Sequence, residues 1–335
     1  MRFILVFCTF TLCLLATPLA LAQTRVVTTT PTLADIVRQV GGDRVEVESI
    51  MSGPENSHNV IPKPSFIMKM RRANLFVHMG LDAEPWVPEL VKGSRQQRLH
   101  PGNDGNVDAS AGITLLEVPQ RGELTRALGD IHAFGNTHFA LDPMNGITIA
   151  RTIADVLKKT DPGHADEFEA NYQEFDRRIR EMTERLTQEL EPYAGTEVVI
   201  YHRVWPYFFK RFGLAKLAEV EPKPGIQPGP RHLSKVVQTM KDHDAMIVIV
   251  ETFNSLSNAE AVAKRAGGKA IVLPTEVNAV PEVDSYEALF EHNVHVLIEA
   301  FKDVGIQPSE RTNKSERTGE EESAGKSNPT DQGRK

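Results

Sequence analysis

Imidazole is the side chain in this sequence best suited to holding a transition metal, and there are 11 histidines to weigh. Thiolate is not an option. The only two cysteines, Cys8 and Cys13, fall in an apolar N-terminal run, which excludes a disulfide framework and a cysteine-based zinc site from the rest of the chain. A metal would have to be held by His, Asp and Glu. His100, His164, His232 and His243 stand in polar, loop-like or helix-start contexts and read as solvated. His292 and His295 fall on a C-terminal helical pattern, YEALFEHNVHVLIEAF, where surface or packing roles are commoner than ligation. His78 lies in a strand-like run and reads as a hydrogen-bonded core residue.

Three histidines are set differently. His58 is in a polar loop, GPENSHNVIPKPS, just before a helix-like stretch. His138 is in GNTHFALDP, directly before the Asp142-Pro143 helix start. His202 sits at the carboxyl end of the strand EVVIY. In open α/β sheets ligands bind beyond the carboxyl ends of strands, which is where His202 is placed. The three are far apart in the chain and form no local metal signature, so spacing alone favours isolated structural histidines. Neither HExxH nor Gly-x-Ser-x-Gly is present, and no motif places a general base.

The elements that must position these residues are α/β. RVVTT (25–29) is β-prone and meets Pro31, then LADIVRQV and Gly41-Gly42, which is a strand, a helix and a glycine stop. VEVESI (45–50) and NLFVHM (74–79) read as further strands. A second set follows in EVVIYH (197–202), AMIVIVE (245–251) and KAIVL (269–273), with NAEAVAKRAGG (258–268) as a helix ending on glycines. Short continuous apolar runs alternating with helices predict parallel sheets covered on both faces. Between the two sets Phe168, Tyr172, Phe175, Ile179, Met182, Leu186 and Leu190 recur every three or four residues, one stripe of a long helix. Asp161-Pro162 would cap its start and Pro192 would stop it. One stiff helix between two lobes predicts limited rocking and no wide hinge opening. The expected division is a leader over 1–22, an N-terminal lobe over 23–160, the connecting helix over 161–192, a C-terminal lobe over 193–306 and a disordered tail over 307–335.

The leader reading rests on Arg2, the apolar run Phe3–Leu15 and the small-residue sequence Ala20-Leu21-Ala22, a secretory signal peptide cleaved after Ala22. Neither cysteine follows the small-residue run that lipid attachment needs, so the mature protein is expected to be soluble. The tail has one hydrophobic residue, Ala324, and cannot bury enough surface to offset ordering entropy. The net charge of -7 argues against a nucleic-acid partner.

Several longer stretches carry a resemblance. SHNVIPKPSFIMKMRRANLFVHMGLDAEPWV, GNTHFALDPMN, YHRVWPYFFKRFGL, ETFNSLSNAEAVAKRAGGKAIVL and VDSYEALFEHNVHVL, in this order from about Val26 to Phe301, resemble the zinc- and manganese-binding solute-binding proteins of ABC importers. The resemblance implies two α/β lobes joined by a rigid helix, with a metal in the cleft between them. It implies His58, His138 and His202 as ligands and Glu276, in VLPTEVN, as the fourth, with Asp284 a less favoured candidate. The sequence departs from the family at Val60, where an aromatic is frequent, and at Thr137, where proline is common. The loop Glu117–Thr137 is short for the zinc subgroup, and His132 is the residue there that could act as an auxiliary ligand.

Three neutral imidazoles and one carboxylate suit Zn²⁺ better than Mn²⁺, which favours carboxylate and water. The implied function is therefore periplasmic capture of Zn²⁺ as cargo and delivery to an ABC permease in the inner membrane, by a monomer, with a periplasmic metallochaperone as a further partner. A manganese-binding homologue is the alternative within the family. Outside it stand a zinc-dependent hydrolase using the same three histidines, and an adhesin or metal chaperone on the same fold.

Overall fold

Thr30 and Pro31 mark where the first strand gives way to the first helix. Strand β1 (Thr24–Thr28) ends in a run of threonines, and the Thr30 hydroxyl accepts the Leu33 N–H at 3.3 Å to cap helix α1 (Pro31–Gly41). Proline in the first turn costs no hydrogen bond there. The computed structural model describes residues 23–119, 133–223 and 225–309. The leader 1–22, His132 and the tail from 310 onward lie outside the described residues.

Two four-stranded sheets organise the chain. The first contains β1, β2 (Val45–Ser49), β3 (Leu75–His78) and β4 (Asn106–Asp108), ordered β2-β1-β3-β4 with every pairing parallel. Helices α2 (Pro64–Arg72) and α3 (Val87–Ser94) cover it on one face, where Val27 and Phe76 pack with Met70, Leu90 and Val91. The second contains β5 (Glu197–Ile200), β6 (Ala215–Glu219), β7 (Ile247–Val250) and β8 (Lys269–Val272), ordered β6-β5-β7-β8 and again parallel. Its outer face carries α7 (Pro230–Asp242) and α8 (Leu256–Ala266), against Val199, Val248 and Val250. In both sheets the strand order reverses beside a central strand, between β1 and β3 and between β5 and β7, so each has a crevice at its carboxyl edge.

Between the sheets run α4 (Pro143–Thr160) and α5 (Ala165–Leu190), with α6 (Pro206–Phe212) and α9 (Tyr286–Asp303) completing the inner layer. At 26 residues α5 is about 39 Å long. Six of the seven stripe residues are buried; Tyr172 is partly buried, with the Arg151 guanidinium 3.8 Å above its ring. The start differs from the expectation. Asp161-Pro162 opens a separate 3-10 turn, Pro162–His164, and the α-helix begins only at Ala165. Asp161 instead pairs with the His164 ring at 2.7 Å.

The inner faces of both sheets share one core. Val26, Leu75 and Val77 of the first sheet, the stripe of α5, Val198, Ile200, Ile247 and Ile249 of the second, and Phe290 and Leu297 of α9 belong to a single buried cluster. Polar contacts reinforce it. Val277 N–H donates to Thr32 Oγ1 at 3.1 Å, Tyr286 N–H to Asp35 Oδ2 at 2.9 Å, and Gln39 Nε2 to Glu287 Oε2 at 2.8 Å. Arg211 grips Asp142 with two bonds of 2.8 and 2.9 Å. Among the described residues no helix is long and apolar enough to cross a membrane.

Candidate metal centre

His58 reaches the cleft from a 3-10 turn, Ser57–Asn59, which Asn56 caps by accepting the His58 backbone N–H at 2.9 Å. Trp86 holds the same turn by donating its indole N–H to Ser57 O at 2.7 Å. The His58 Nδ1 lies 2.7 Å from Ala83 O. A carbonyl has no proton, so Nδ1 is the donor, and the lone pair resides on Nε2, the form able to bind a metal.

His138 precedes a second 3-10 turn, Phe139–Leu141, that leads into α4. Asn136 sets its backbone: Oδ1 accepts the His138 N–H at 3.0 Å, while Nδ2 donates to Arg203 O at 2.9 Å and Glu117 Oε2 at 3.1 Å. Asn136 thus ties the His138 loop to the residue next to His202. The Tyr207 hydroxyl donates to Asn136 O at 3.0 Å and fixes the loop from below.

His202 lies two residues past the end of β5 and is 7% exposed. Its ring packs edge-on against Phe253, and its Nδ1 donates to Glu221 Oε2. The ring's proton affinity reflects opposing causes. Burial acts to lower its pKa, but the Glu221 bond and the charges of Glu251, Glu221 and Glu219 outweigh burial and leave it raised.

The three rings converge. His58 and His138 have centroids 5.4 Å apart, His138 and His202 6.2 Å, each pair nearly perpendicular. One nitrogen from each ring lies within 4.8 Å of the others, and among the described residues no other group of His, Cys, Asp or Glu meets in this way. A tetrahedral zinc at ordinary bond lengths would bring such nitrogens to about 3.4 Å apart.

Glu276 is outside that group. Its Oε2 accepts the Thr32 N–H at 3.4 Å, at the N-terminus of α1. The residue is partly exposed in total area, but its carboxyl is enclosed by protein. That burial pushes its pKa up to about 7, opposed by the hydrogen bonds of Thr32 and Thr30. Asp284 is exposed, just before the Ser285 cap of α9, and is not in the group either. Glu251, just past the end of β7, accepts from Trp205 Nε1 at 2.7 Å and Asn254 Nδ2 at 2.8 Å. Glu221 takes the imidazole. Of the remaining histidines, His78 is hydrogen-bonded as expected, to Asn106 Oδ1 at 3.1 Å and to Gly80 N–H at 3.2 Å, but it is half-buried at the edge of a cavity and not part of the core.

Two parallel-sheet lobes with three convergent histidines in the cleft define a metal-capturing solute-binding protein. Residues 26–300 match the family model described as ZnuA, zinc-uptake complex component A, periplasmic, and the chain belongs to that family. Among curated proteins it is 24% identical over 296 residues to the high-affinity zinc uptake system protein ZnuA of Yersinia pestis, covering 82% of this chain and 90% of that one. It is 26% identical over 263 residues to the zinc-binding protein AdcA of Streptococcus pyogenes, covering 76% of this chain. There it spans only about half of the relative's length (51%). Among solved structures, a crystal structure of ZnuA superposes with a TM-score of 0.70 at 23% identity, covering 83% of this chain and 99% of that chain. The Mn-bound periplasmic metal-binding protein of Candidatus Liberibacter asiaticus does so at 0.68 and 19%, with the same coverage. The family is a periplasmic solute-binding one that works with an ABC permease and its ATPase in the membrane.

Proposed function

We propose that this chain captures one Zn²⁺ through His58, His138 and His202, with Glu276 as the fourth ligand, and passes it to an ABC permease. The observation that carries the reading is the meeting of three imidazole nitrogens within 4.8 Å. Two of the rings are already held in the tautomer that presents Nε2, one by Ala83 O and one by Glu221. Orientation of that kind is what a zinc site needs, because a mis-set ring costs affinity. A set with three imidazoles is soft enough to favour zinc over manganese, and the carboxylate of Glu276 would close the shell.

We read the protein as a carrier and not as a hydrolase, since a closed shell has no position for an activated water. It is secreted by a leader cleaved after Ala22 and acts as a monomer. Calorimetric titration of the metal-stripped mature protein with Zn²⁺ and Mn²⁺ tests the reading. One tight zinc equivalent is expected, weaker manganese, loss of the site in His202→Ala, and no turnover of ester substrates. Preferred manganese, or no tight site, would overturn it. Mass spectrometry of the secreted protein checks the cleavage position, which should leave Gln23 as the first residue.

A further inference from the structure

Glu221 is enclosed at the end of β6, its side chain 12% exposed beside that of His202 at 8%. Both carboxylate oxygens are engaged. Oε2 accepts from His202 Nδ1, and Oε1 accepts the Gly225 N–H at 3.1 Å. Gly225 has φ of 78°, a left-handed value that glycine adopts without strain, and a bridge between Lys223 and Ile226 closes the turn around it. The turn is at the surface, with Ile226 47% exposed. One carboxylate thus connects a buried imidazole to the backbone of Gly225, beside the exposed Ile226.

Resting on the zinc reading of the same cleft, we propose that Glu221 is a positioning residue for the metal. It sets how tightly and for how long zinc is held, by fixing His202 in the Nδ1–H tautomer and adding negative charge behind the ring. A carboxylate on the far nitrogen raises the ligand's basicity and locks its rotation, and loss of such a partner typically costs 10–100-fold in metal affinity. Burying a carboxylate against a neutral ring is unfavourable by itself. A dication bound on the opposite nitrogen offsets that cost, which gives the pair a purpose that packing alone does not.

The test compares wild type, Glu221→Ala and Glu221→Gln for zinc affinity, zinc off-rate to a chelator, and the His202 tautomer by ¹⁵N NMR of the metal-free protein. Glu221→Ala is expected to weaken zinc by 10–100-fold, with faster release and mixed tautomers. Glu221→Gln retains an oxygen acceptor for Nδ1–H, so it should keep the tautomer while losing roughly tenfold in affinity, the part due to charge. Wild-type affinity and off-rate in Glu221→Gln, together with an unchanged tautomer in Glu221→Ala, would overturn the proposal. If Glu221→Ala does not fold, the affinity and off-rate of Glu221→Gln decide. A wild-type protein with no tight zinc site would overturn the carrier reading itself, an outcome distinct from a tight site indifferent to Glu221.

Discussion

Gly146 lies directly beneath the ring of Tyr286. A methyl at position 146 would sit well inside van der Waals contact with Tyr286 Cε1. Tyr286 is fully buried, and its hydroxyl donates to Ala140 O at 2.7 Å and Asp142 O at 3.2 Å. The ring therefore bridges α9 to the turn that follows His138.

Gly146→Ala should destabilise the protein by about 1–3 kcal/mol through overpacking. Alanine's better helix propensity, worth ~1 kcal/mol, works in the opposite direction. Chemical unfolding measures the sum, and a variant as stable as wild type would show that the ring yields freely. Because the displaced ring pushes on Ala140 and Asp142, zinc affinity should fall as well.

Glu84 is 4% exposed and accepts the Met79 N–H at 3.0 Å through Oε2. Its Oε1 and the Thr29 hydroxyl oxygen are both buried with no hydrogen-bond partner among the described residues. Burial pushes its pKa up to about 8, against the opposing pull of the Met79 N–H. Between pH 4.5 and 8 the folded protein keeps a proton that the unfolded chain has released, so this group's contribution falls as pH rises across that window. The loss is on the order of a few kcal/mol. Glu84→Gln, neutral at every pH, should match wild type near pH 5 and exceed it in Tm near pH 8.5. Parallel Tm curves for the two proteins would refute the assignment of a neutral acid.

Glu276→Gln separates two roles for that side chain. The amide oxygen can still accept from Thr32 N–H, so Tm should change little, whereas an amide is a poor zinc ligand. Calorimetry should show zinc binding weakened at least tenfold, of the order seen when ligand contacts are lost. Undiminished affinity would leave the three histidines with a solvent molecule in the fourth place.

Asn136→Ala removes the side chain that joins the His138 backbone to Arg203 O. Three hydrogen bonds are lost, worth roughly 1.5–4.5 kcal/mol together at about 0.5–1.5 kcal/mol each, and the distance from His138 to His202 is no longer fixed. A weaker zinc site is expected together with a drop in Tm. If Tm falls but affinity holds, Asn136 serves the fold alone.

Much of this architecture is legible in the sequence because buried parallel strands leave continuous apolar runs. VVT, LFVH, EVVI, IVIV and KAIV mark five of the eight strands, and VEVES is the half-buried sixth. The two not legible are NVD (β4), which is three residues long, and AKLAE (β6), which lies at a sheet edge with most residues half-exposed. Missing β6 hid Glu221. Without the strand, nothing places residue 221 beside the carboxyl end of β5. Glu251 follows a plainly legible strand, and its carboxylate serves Trp205 and Asn254. The setting of His58 and His138 in loops before helices, and of His202 at the end of a strand, is visible in the sequence, whereas their convergence depends on long-range packing that residue spacing does not encode.

The shared core has a consequence for unloading. Side chains from the inner faces of both sheets and from α5 belong to one buried cluster, so parting the two sheets would expose that core. A transporter that receives the ion from such a carrier has little to gain by prising the halves open. It must instead dismantle the ion's cradle piece by piece, one ring or one carboxylate at a time. Unloading then resembles ligand exchange at a metal more than the opening of a clamshell, and its speed depends on which donor lets go first.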